Sequence, residues 1–299
     1  MQPRSDSAKG VIVSLSASCL FGLMYYYATM LTPLNGMEIF GWRVLSTLPF
    51  LTVFMRRAGF WRHVADIFER AKGSKPFGAF LVLSSALIGV QFWLFLWAPV
   101  NGMALAVSLG YLLMPLVMVV FGRVLFQDQL LPYQKIAVVF AVLGVGNQVW
   151  QVGSLSWAVV LVAVGFPVYF SLRRRMGTDN LGGLWFDMVF MVPAALFAIH
   201  TGESGFSVIF DVPRMLAMVA LLGVMSATSV GCYIMASRYL SLSLFGLLSY
   251  VEPVLLVVVS LILGERIADG EVLTYVGVGL AVATLAFGGM RGVRLRVRG

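Results

Sequence analysis

Two ionisable residues lie inside long apolar stretches of this sequence. Arg43 lies in the apolar run that begins at Met37, and Glu252 directly precedes Pro253. A charge in hydrocarbon costs about 2.5–3.5 kcal/mol on insertion scales, so such residues usually serve a function or are paired. Arg43 is suited to a substrate carboxylate, and Glu252 to a substrate amine or a proton relay. The structural alternatives are Arg43 paired with Glu38 or reaching the interface, and Glu252 hydrogen-bonded to a neighbouring helix.

Aromatic, amide and proline residues extend this candidate site. A cavity wall of aromatic side chains with few polar groups suits an amphipathic organic solute, although helix packing also explains any single aromatic residue. The predicted substrate-binding set has two charges, four aromatic residues and one amide: Arg43, Glu252, Tyr111, Tyr250, Trp93, Trp97 and Asn101. Pro115 and Pro253 remove backbone donors and are candidate helix breaks or gating positions. A third acid, Asp187, is predicted near a membrane interface.

These residues must be positioned by membrane-spanning helices. The chain has 299 residues, of which 60% are hydrophobic and 11% are charged. A soluble protein is about a quarter charged, so this chain has too few charges to cover a surface in water. A span needs roughly 20 apolar residues, and the sequence predicts ten spans: Val11–Met30, Met37–Met55, Phe77–Pro99, Met103–Gly122, Gln134–Trp150, Leu155–Leu172, Leu181–His200, Met215–Ser237, Leu242–Gly264 and Val272–Met290.

The basic residues predict the orientation of these spans. With the N-terminus in the cytoplasm, eighteen of the twenty-one Lys and Arg residues lie on the cytoplasmic side, two lie outside, and Arg43 lies within a span. Cytoplasmic loops of membrane proteins carry such an excess. It places both termini in the cytoplasm and explains the net charge of +8 without nucleic acid. The basic segment 56–75 is either a short amphipathic helix at the interface or a solvated loop.

The two halves of the chain contain similar segments. Tyr111 and Pro115 in the fourth predicted span are matched by Tyr250 and Pro253 in the ninth, and the two prolines are 138 residues apart. Five spans lie in each half, so the second half must enter the membrane from the opposite side. The sequence therefore predicts two inverted five-helix repeats, residues 1–150 and 151–299. Many secondary transporters use this arrangement to alternate access around a midplane site.

The sequence resembles the drug/metabolite transporter superfamily of the EamA-domain type, and within it the RarD-like permeases and amino acid exporters. The resemblance covers essentially the whole chain, and the segments that carry it are Lys9–Ala17, Glu38–Arg43, Trp93–Trp97, Ser108–Tyr111, Gln134–Val139, Glu252–Pro253 and Leu263–Glu265. Ala106 is a departure, since the RarD-like pattern has a carboxylate there. The resemblance implies an all-helical fold of ten transmembrane helices in two inverted repeats. It also implies export of amino acids or similar metabolites across a bacterial inner membrane.

We predict a secondary transporter that exports amino acids, aromatic, hydrophobic or of broader range, or related small metabolites by alternating access. The alternatives are a membrane-embedded transferase, a carrier of another metabolite or drug class, and a channel. A transferase predicts clustered His, Asp and Glu at a membrane face, and the sequence offers no such cluster. No cofactor or metal is expected, because there is no nucleotide-binding motif and only two Cys and two His. The expected partners are a small-molecule substrate and the lipid bilayer. Coupling to protons and oligomeric state stay open, and a monomer is compatible with the sequence.

Overall fold

The computed structural model of the protein describes residues 4–100, 104–153, 156–262 and 269–297, and these residues contain helices but no strand. The helices in chain order are α1 (Arg4–Ala28), α2 (Gly36–Arg57), α3 (Trp61–Gly73), α4 (Lys75–Val100), α5 (Ala104–Phe126), α6 (Pro132–Val152), α7 (Trp157–Met176), α8 (Leu181–His200), α9 (Val208–Asp211), α10 (Met215–Tyr239), α11 (Leu242–Leu248), α12 (Val251–Ile262) and α13 (Val272–Val297). The fold class is therefore all-α, as predicted.

Several helices are suited to lie in a membrane. Within the described residues, six stretches are long and apolar enough to cross it: Ala8–Ala28, Lys75–Leu94, Leu109–Phe126, Trp157–Met176, Leu181–His200 and Met215–Tyr239. Large apolar side chains also cover the outside of the bundle, such as Trp150, Phe197 and Phe287, which are each at least 66% exposed. A water-soluble protein rarely exposes so much apolar surface. The chain is a multi-pass membrane protein.

Close backbone approach holds several helix pairs together. The longest contacts are those of α6 along α13 and of α1 along α10, and α2 packs on both α8 and α10. Where α6 meets α13, a Cβ atom built on Gly144 would lie 2.7 Å from the carbonyl oxygen of Thr274 and 3.2 Å from the Cα atom of Gly277. Small residues at such crossings let two backbones touch, which maximises van der Waals contact between membrane helices.

The basic segment between α2 and α4 forms the amphipathic helix α3. Its apolar residues Val64 and Ile67 are buried, and the helix packs against α8 and α4. Of the two predicted alternatives, the helix is therefore correct and the irregular solvated loop is wrong. Burial of one apolar stripe supplies the stabilisation that a 13-residue helix lacks on its own.

The predicted span Leu242–Gly264 is not one continuous helix. It is divided into α11 and α12 at Ser249 and Tyr250. The amide of Tyr250 donates to the carbonyl of Leu247, and that of Glu252 to Ser249, at 3.3 Å in each case. These bonds span three residues, so the chain is wound more tightly here than in an α-helix. Pro253, in the first turn of α12, has no N–H to continue the regular pattern.

Pro115 does not interrupt its helix. It lies inside α5, which continues from Ala104 to Phe126, so the helix break predicted there is absent. A proline removes a single helical hydrogen bond, and α5 is held by packing against α7 and α11. The backbone of α11 lies close by, since a Cβ atom on Gly246 would be 3.0 Å from the carbonyl oxygen of Pro115. The matched interruption therefore occurs only in the second half of the chain.

Candidate functional site

Arg43 is held in a fixed orientation about two turns into α2. Its Nε donates a hydrogen bond to Ser226 Oγ on α10 at 2.9 Å, and its guanidinium carbon lies 5.4 Å from the ring centroid of Phe92 on α4. Arg43 is only half-buried. The proposed pairing with Glu38 is wrong, because that carboxylate accepts the backbone N–H groups of Asn35, Ser204 and Gly205.

Glu252 is the acidic residue that interacts with Arg43. It is the second residue of α12, directly after the break in the helix, and it is half-buried. It interacts electrostatically with Arg43. Among the described residues, the ion pairs are Lys72 with Glu69 and Arg173 with Asp187. Arg43 and Glu252 are therefore close enough for their charges to interact but do not form a direct ion pair.

Two tyrosines complete what we call the charge–tyrosine cluster, which consists of Arg43, Tyr111, Tyr233 and Glu252. Tyr111 of α5 interacts electrostatically with the other three members. The hydroxyl of Tyr233 on α10 is 3.2 Å from Ser249 Oγ at the helix break. The cluster thus draws one side chain from each of α2, α5, α10 and α12. Tyr233 is absent from the predicted set, because nothing in its local sequence distinguishes it from other aromatic residues in the spans.

Aromatic rings surround the tyrosines of the cluster. The ring centroid of Tyr233 lies 5.6 Å from Phe21, 5.7 Å from Phe170 and 4.7 Å from Phe245. The ring of Tyr111 lies 5.8 Å from Phe166. Ring pairs at these separations stabilise a fold by more than the burial of their surface area alone. The tyrosines of the cluster are therefore bordered by an apolar wall of aromatic rings.

The other predicted site residues lie elsewhere or are not described. Tyr250 is fully buried, and its hydroxyl donates to the carbonyl of Leu112 at 2.9 Å, so it joins α5 to the broken helix. Trp93 on α4 is 37% exposed. Trp97 also lies in α4, but its side chain is outside the described residues, as is Asn101.

A second group of buried charges joins α7, α8 and α4. Asp187, predicted near an interface, is completely buried, and Arg173 is 1% exposed. The two form an ion pair. Tyr169 Oη donates to Asp187 Oδ2 at 2.7 Å, and Ser85 Oγ donates to Oδ1 at 2.7 Å. Arg173 also donates to the carbonyl of Gly183 at 2.8 Å. The sequence gives no local signal for this network, since Arg173 is the first of three consecutive arginines at a helix end.

Similar proteins match this chain over nearly its whole length. A protein from Pseudomonas aeruginosa named chloramphenicol-sensitive protein RarD is 37% identical over 293 residues, which cover 98% of each chain. This chain belongs to the RarD-like transporter family. It is a RarD-like permease of the drug/metabolite transporter type, and it is also 39% identical over 268 residues to an uncharacterized transporter from Haemophilus influenzae, with 88% of each chain covered. Protein RarD from Escherichia coli is 27% identical over 281 residues, or 93% of this chain and 94% of that one.

Comparison with solved structures supports the fold of this RarD-like permease. One crystal structure matches 92% of this chain and 96% of its own, with a TM-score of 0.66 and 14% sequence identity. That likeness establishes a shared fold. No protein-family model matches the sequence.

Proposed function

We propose that this permease is a secondary transporter that exports amino acids or closely related metabolites. The observation that carries the proposal is that Arg43 and Glu252, two opposite charges, interact without a direct ion pair, next to tyrosines that pack among aromatic rings. A zwitterionic amino acid carries a carboxylate and an ammonium group, which complement these two charges. Its carboxylate would bind Arg43, its ammonium group would bind Glu252, and its side chain would lie among the rings around Tyr233.

The environment of Arg43 suits this role. A guanidinium binds a carboxylate best through two parallel N–H groups. Ser226 accepts from Nε and the guanidinium carbon lies over the Phe92 ring, so both contacts hold the orientation of Arg43, and neither uses the two terminal nitrogens as hydrogen-bond donors. Glu252 is placed where α12 begins, and interrupted helices in carriers commonly provide the binding site at the membrane midplane.

The packing of the helices supports ten spans in two inverted repeats, residues 1–150 and 151–299. Such a repeat relates α1, α2, α4, α5 and α6 to α7, α8, α10, α11–α12 and α13. The helix contacts are consistent with this relation. The contact of α1 with α10 corresponds to that of α7 with α4, and the contact of α2 with α10 corresponds to that of α8 with α4. The bond from Tyr250 to Leu112 joins residues 138 apart, which is the offset between Pro115 and Pro253. Contact between equivalent positions is expected near a two-fold axis.

The transport cycle follows from this symmetry as part of the proposal. Rocking of one repeat against the other would open the charge–tyrosine cluster to each side of the membrane in turn. The excess of basic residues on one side supports a bacterial inner-membrane location with both termini in the cytoplasm. Hydrolysis of a nucleotide is not required, because a carrier can move its substrate down a concentration gradient.

Proteoliposomes that contain the purified chain test this function. We would measure uptake of labelled amino acids, including aromatic, aliphatic and charged members, with and without a pH gradient. Saturable uptake, in which labelled substrate exchanges with unlabelled substrate inside the vesicles, supports the proposal. A dependence of this uptake on the pH gradient would indicate proton coupling. If no amino acid exchanges in vesicles that retain folded protein, the substrate belongs to another class.

A carrier of uncharged aromatic drugs is the second candidate. The aromatic wall around Tyr233 and the name of the Pseudomonas aeruginosa relative favour it. Chloramphenicol has no ionised carboxylate or ammonium group, so its transport should not depend on the charges of Arg43 and Glu252. Competition by chloramphenicol against amino acid uptake, measured in wild-type protein and in Arg43→Gln, would separate the two functions.

A further inference from the structure

The helix α3 presents three distinct faces. Its first face, Val64 and Ile67, is buried against the spans. The remaining exposed residues divide by helical position into a polar face and a mixed face. The polar face contains Arg62, Asp66 and Glu69, and the mixed face contains Ala65, Phe68 and Lys72. An amphipathic helix in water would need only one buried face and one polar face, so the mixed face requires another explanation.

The mixed face combines an exposed ring with a cation. Phe68 is 48% exposed, and Lys72 Nζ lies 4.4 Å from its ring centroid. At the beginning of the helix, the guanidinium carbon of Arg56 lies 4.7 Å from the ring of Trp61. Aromatic rings beside Lys and Arg are typical of helices that lie in the interface of a membrane, where the rings enter the acyl region and the cations reach the headgroups.

The segment also has an excess of positive charge that the protein does not neutralise. Its basic residues are Arg56, Arg57, Arg62, Arg70, Lys72 and Lys75, and its acidic residues are Asp66 and Glu69. Arg70 is used within the protein, because its Nη2 donates to the carbonyl of Met176 at 2.7 Å and its guanidinium carbon lies 4.2 Å from the ring of Phe77. The other basic residues are exposed, and of these Lys72 forms an exposed ion pair with Glu69 at 3.6 Å, which leaves the segment with four more basic than acidic residues.

The position of α3 brings this charge to the membrane surface. The helix is joined at one end to α2 and at the other to α4, and both carry exposed apolar residues within a few positions of it, namely Phe54 at 53% and Phe80 at 48%. Phe68 thus lies on a helix whose two ends are joined directly to helices with exposed apolar residues. A soluble acidic partner would explain the charge but not an exposed ring between two such helices.

We propose that the mixed face of α3 is a docking site for anionic phospholipid headgroups. Phe68 enters the acyl region, and Lys72, with Arg57 and Lys75 at the two ends of the helix, binds the lipid phosphates. Juxtamembrane clusters of four to eight basic residues commonly bind anionic lipid in this way, with about 1 kcal/mol from each cation near the surface.

The depth of the two exposed faces tests the geometry. A spin label would be attached at Phe68→Cys, or at the neighbouring Glu69→Cys, in full-length protein that carries Cys19→Ser and Cys232→Ser. In bilayers of phosphatidylcholine with phosphatidylglycerol, the label at 68 should be accessible to oxygen and shielded from a water-soluble nickel complex, and the label at 69 should show the reverse. Equal access of the nickel complex to both labels would overturn the proposal.

A matched pair of charge changes tests the lipid specificity. Lys72→Gln and Arg62→Gln lower the net charge of α3 equally, but only the first lies on the mixed face. Native mass spectrometry would compare the phosphatidylglycerol that each variant retains. We expect about fivefold weaker retention for Lys72→Gln and a smaller change for Arg62→Gln. Equal losses, or no loss for Lys72→Gln, would contradict a site on the mixed face.

Discussion

Arg43 and Glu252, the proposed contacts for a zwitterion, lie in opposite halves of the chain, so the two contacts can be tested separately. Arg43→Gln should weaken transport of amino acids by removing the carboxylate contact, yet leave amines that lack a carboxylate little affected. Glu252→Gln should show the opposite preference. A hydrogen bond to a charged group contributes about 1.5–3 kcal/mol, so each loss corresponds to an increase in KM of about 10- to 150-fold. Uptake kinetics in proteoliposomes measure both.

Tyr250→Phe is a suitable control for these variants. It removes the hydrogen bond to Leu112 outside the charge–tyrosine cluster, so it should not alter the preference between amines, acids and zwitterions. If Arg43→Gln and Glu252→Gln reduced uptake of all three substrate types equally, the two charges would have a structural role.

The Arg173–Asp187 pair is expected to stabilise the fold. Arg173 and Asp187 are at most 1% exposed, and loss of one partner would leave the other charged and buried. Such a loss typically costs about 3–5 kcal/mol. We therefore expect Arg173→Met to lower the melting temperature of the detergent-solubilised protein strongly. The double variant Arg173→Met/Asp187→Leu should regain part of this stability, because neither charge then remains unpaired.

Arg175→Met supplies the matched control for this network. Arg175 lies two residues further along α7 and is exposed, so its loss should change stability by less than about 0.5 kcal/mol. Equal melting temperatures for Arg173→Met and Arg175→Met would show that the buried pair is not stabilising relative to an apolar replacement.

The pairing of α6 with α13 depends on one of two nearby glycines. A side chain at Gly144 would meet the backbone of α13 within 3.2 Å, whereas one at Gly146 would meet no atom within 4 Å. Gly144→Leu should therefore destabilise the protein by about 1–3 kcal/mol through overpacking, and Gly146→Leu should be tolerated. Thermal unfolding of the two variants checks this. Similar unfolding curves would contradict the close helix crossing.

The packing of α3 against the membrane-spanning helices should depend on pH through His63. The imidazole stacks on Phe60 and its Nδ1 is buried without a hydrogen-bond partner. Burial, and then repulsion by Arg238, lowers the pKa of His63 below its ordinary value of 6.5, against an opposing attraction from Asp66. When α3 is detached from the spans, His63 would have its ordinary pKa and bind a proton more tightly. The packing of α3 against the spans should therefore weaken as the pH falls below 6.5.

Hydrogen exchange of the α3 amides measures this dependence. After correction for the intrinsic effect of pH, exchange should become faster as the pH is lowered from about 7 to about 5, across and below the ordinary histidine pKa. His63→Phe should remove the change, and His200→Phe, which alters an exposed histidine, should retain it. Persistence of the full effect in His63→Phe would assign it to another group.

The elements were more predictable from the sequence than their side-chain partners. The predicted span Leu181–His200 coincides with α8, because its apolar run ends in polar residues on both sides. Pro253 is a candidate helix break in the sequence, and the helix is interrupted just before it, between Leu248 and Val251. The same expectation at Pro115 is wrong, since α5 continues through that proline. The buried ion pair of Arg173 depends on Asp187 on the next helix, which in turn bonds to Ser85, 102 residues earlier in the chain. Local patterns do not encode such contacts, and Arg43 was recognised only because it lies alone in an apolar run.

At the scale of the molecule, the two proposed repeats use their buried charges differently. Arg43 on α2 bonds to Ser226 on α10, and Asp187 on α8 bonds to Ser85 on α4. The repeat relates these two pairs of helices, so the bonds occupy corresponding places. Asp187 has a direct counter-charge in Arg173, whereas Arg43 forms no direct ion pair with any described residue. Under the proposed function, the second repeat neutralises its charge internally and the first keeps Arg43 for the substrate carboxylate.

The proposed ten-span topology can be tested at the segment between α2 and α4. If only the six most apolar stretches crossed the membrane, α2 would not cross, and Ala58 would lie on the same side as Glu203. The six basic residues of segment 56–75 would then be outside, against the usual distribution of such residues. With ten spans, Ala58 and Gln129 lie in the cytoplasm and Glu203 lies outside.

Single cysteines at these three exposed positions, in protein that carries Cys19→Ser and Cys232→Ser, distinguish the two topologies. A membrane-impermeant maleimide applied to intact cells should label Glu203→Cys but not Ala58→Cys or Gln129→Cys, and inverted vesicles should reverse the pattern. Labelling of all three positions in intact cells would eliminate the inverted five-helix repeats, because α2 and α6 would no longer cross the membrane. The charge–tyrosine cluster would then lose its proposed alternating access, since Arg43 on α2 could not lie within a span.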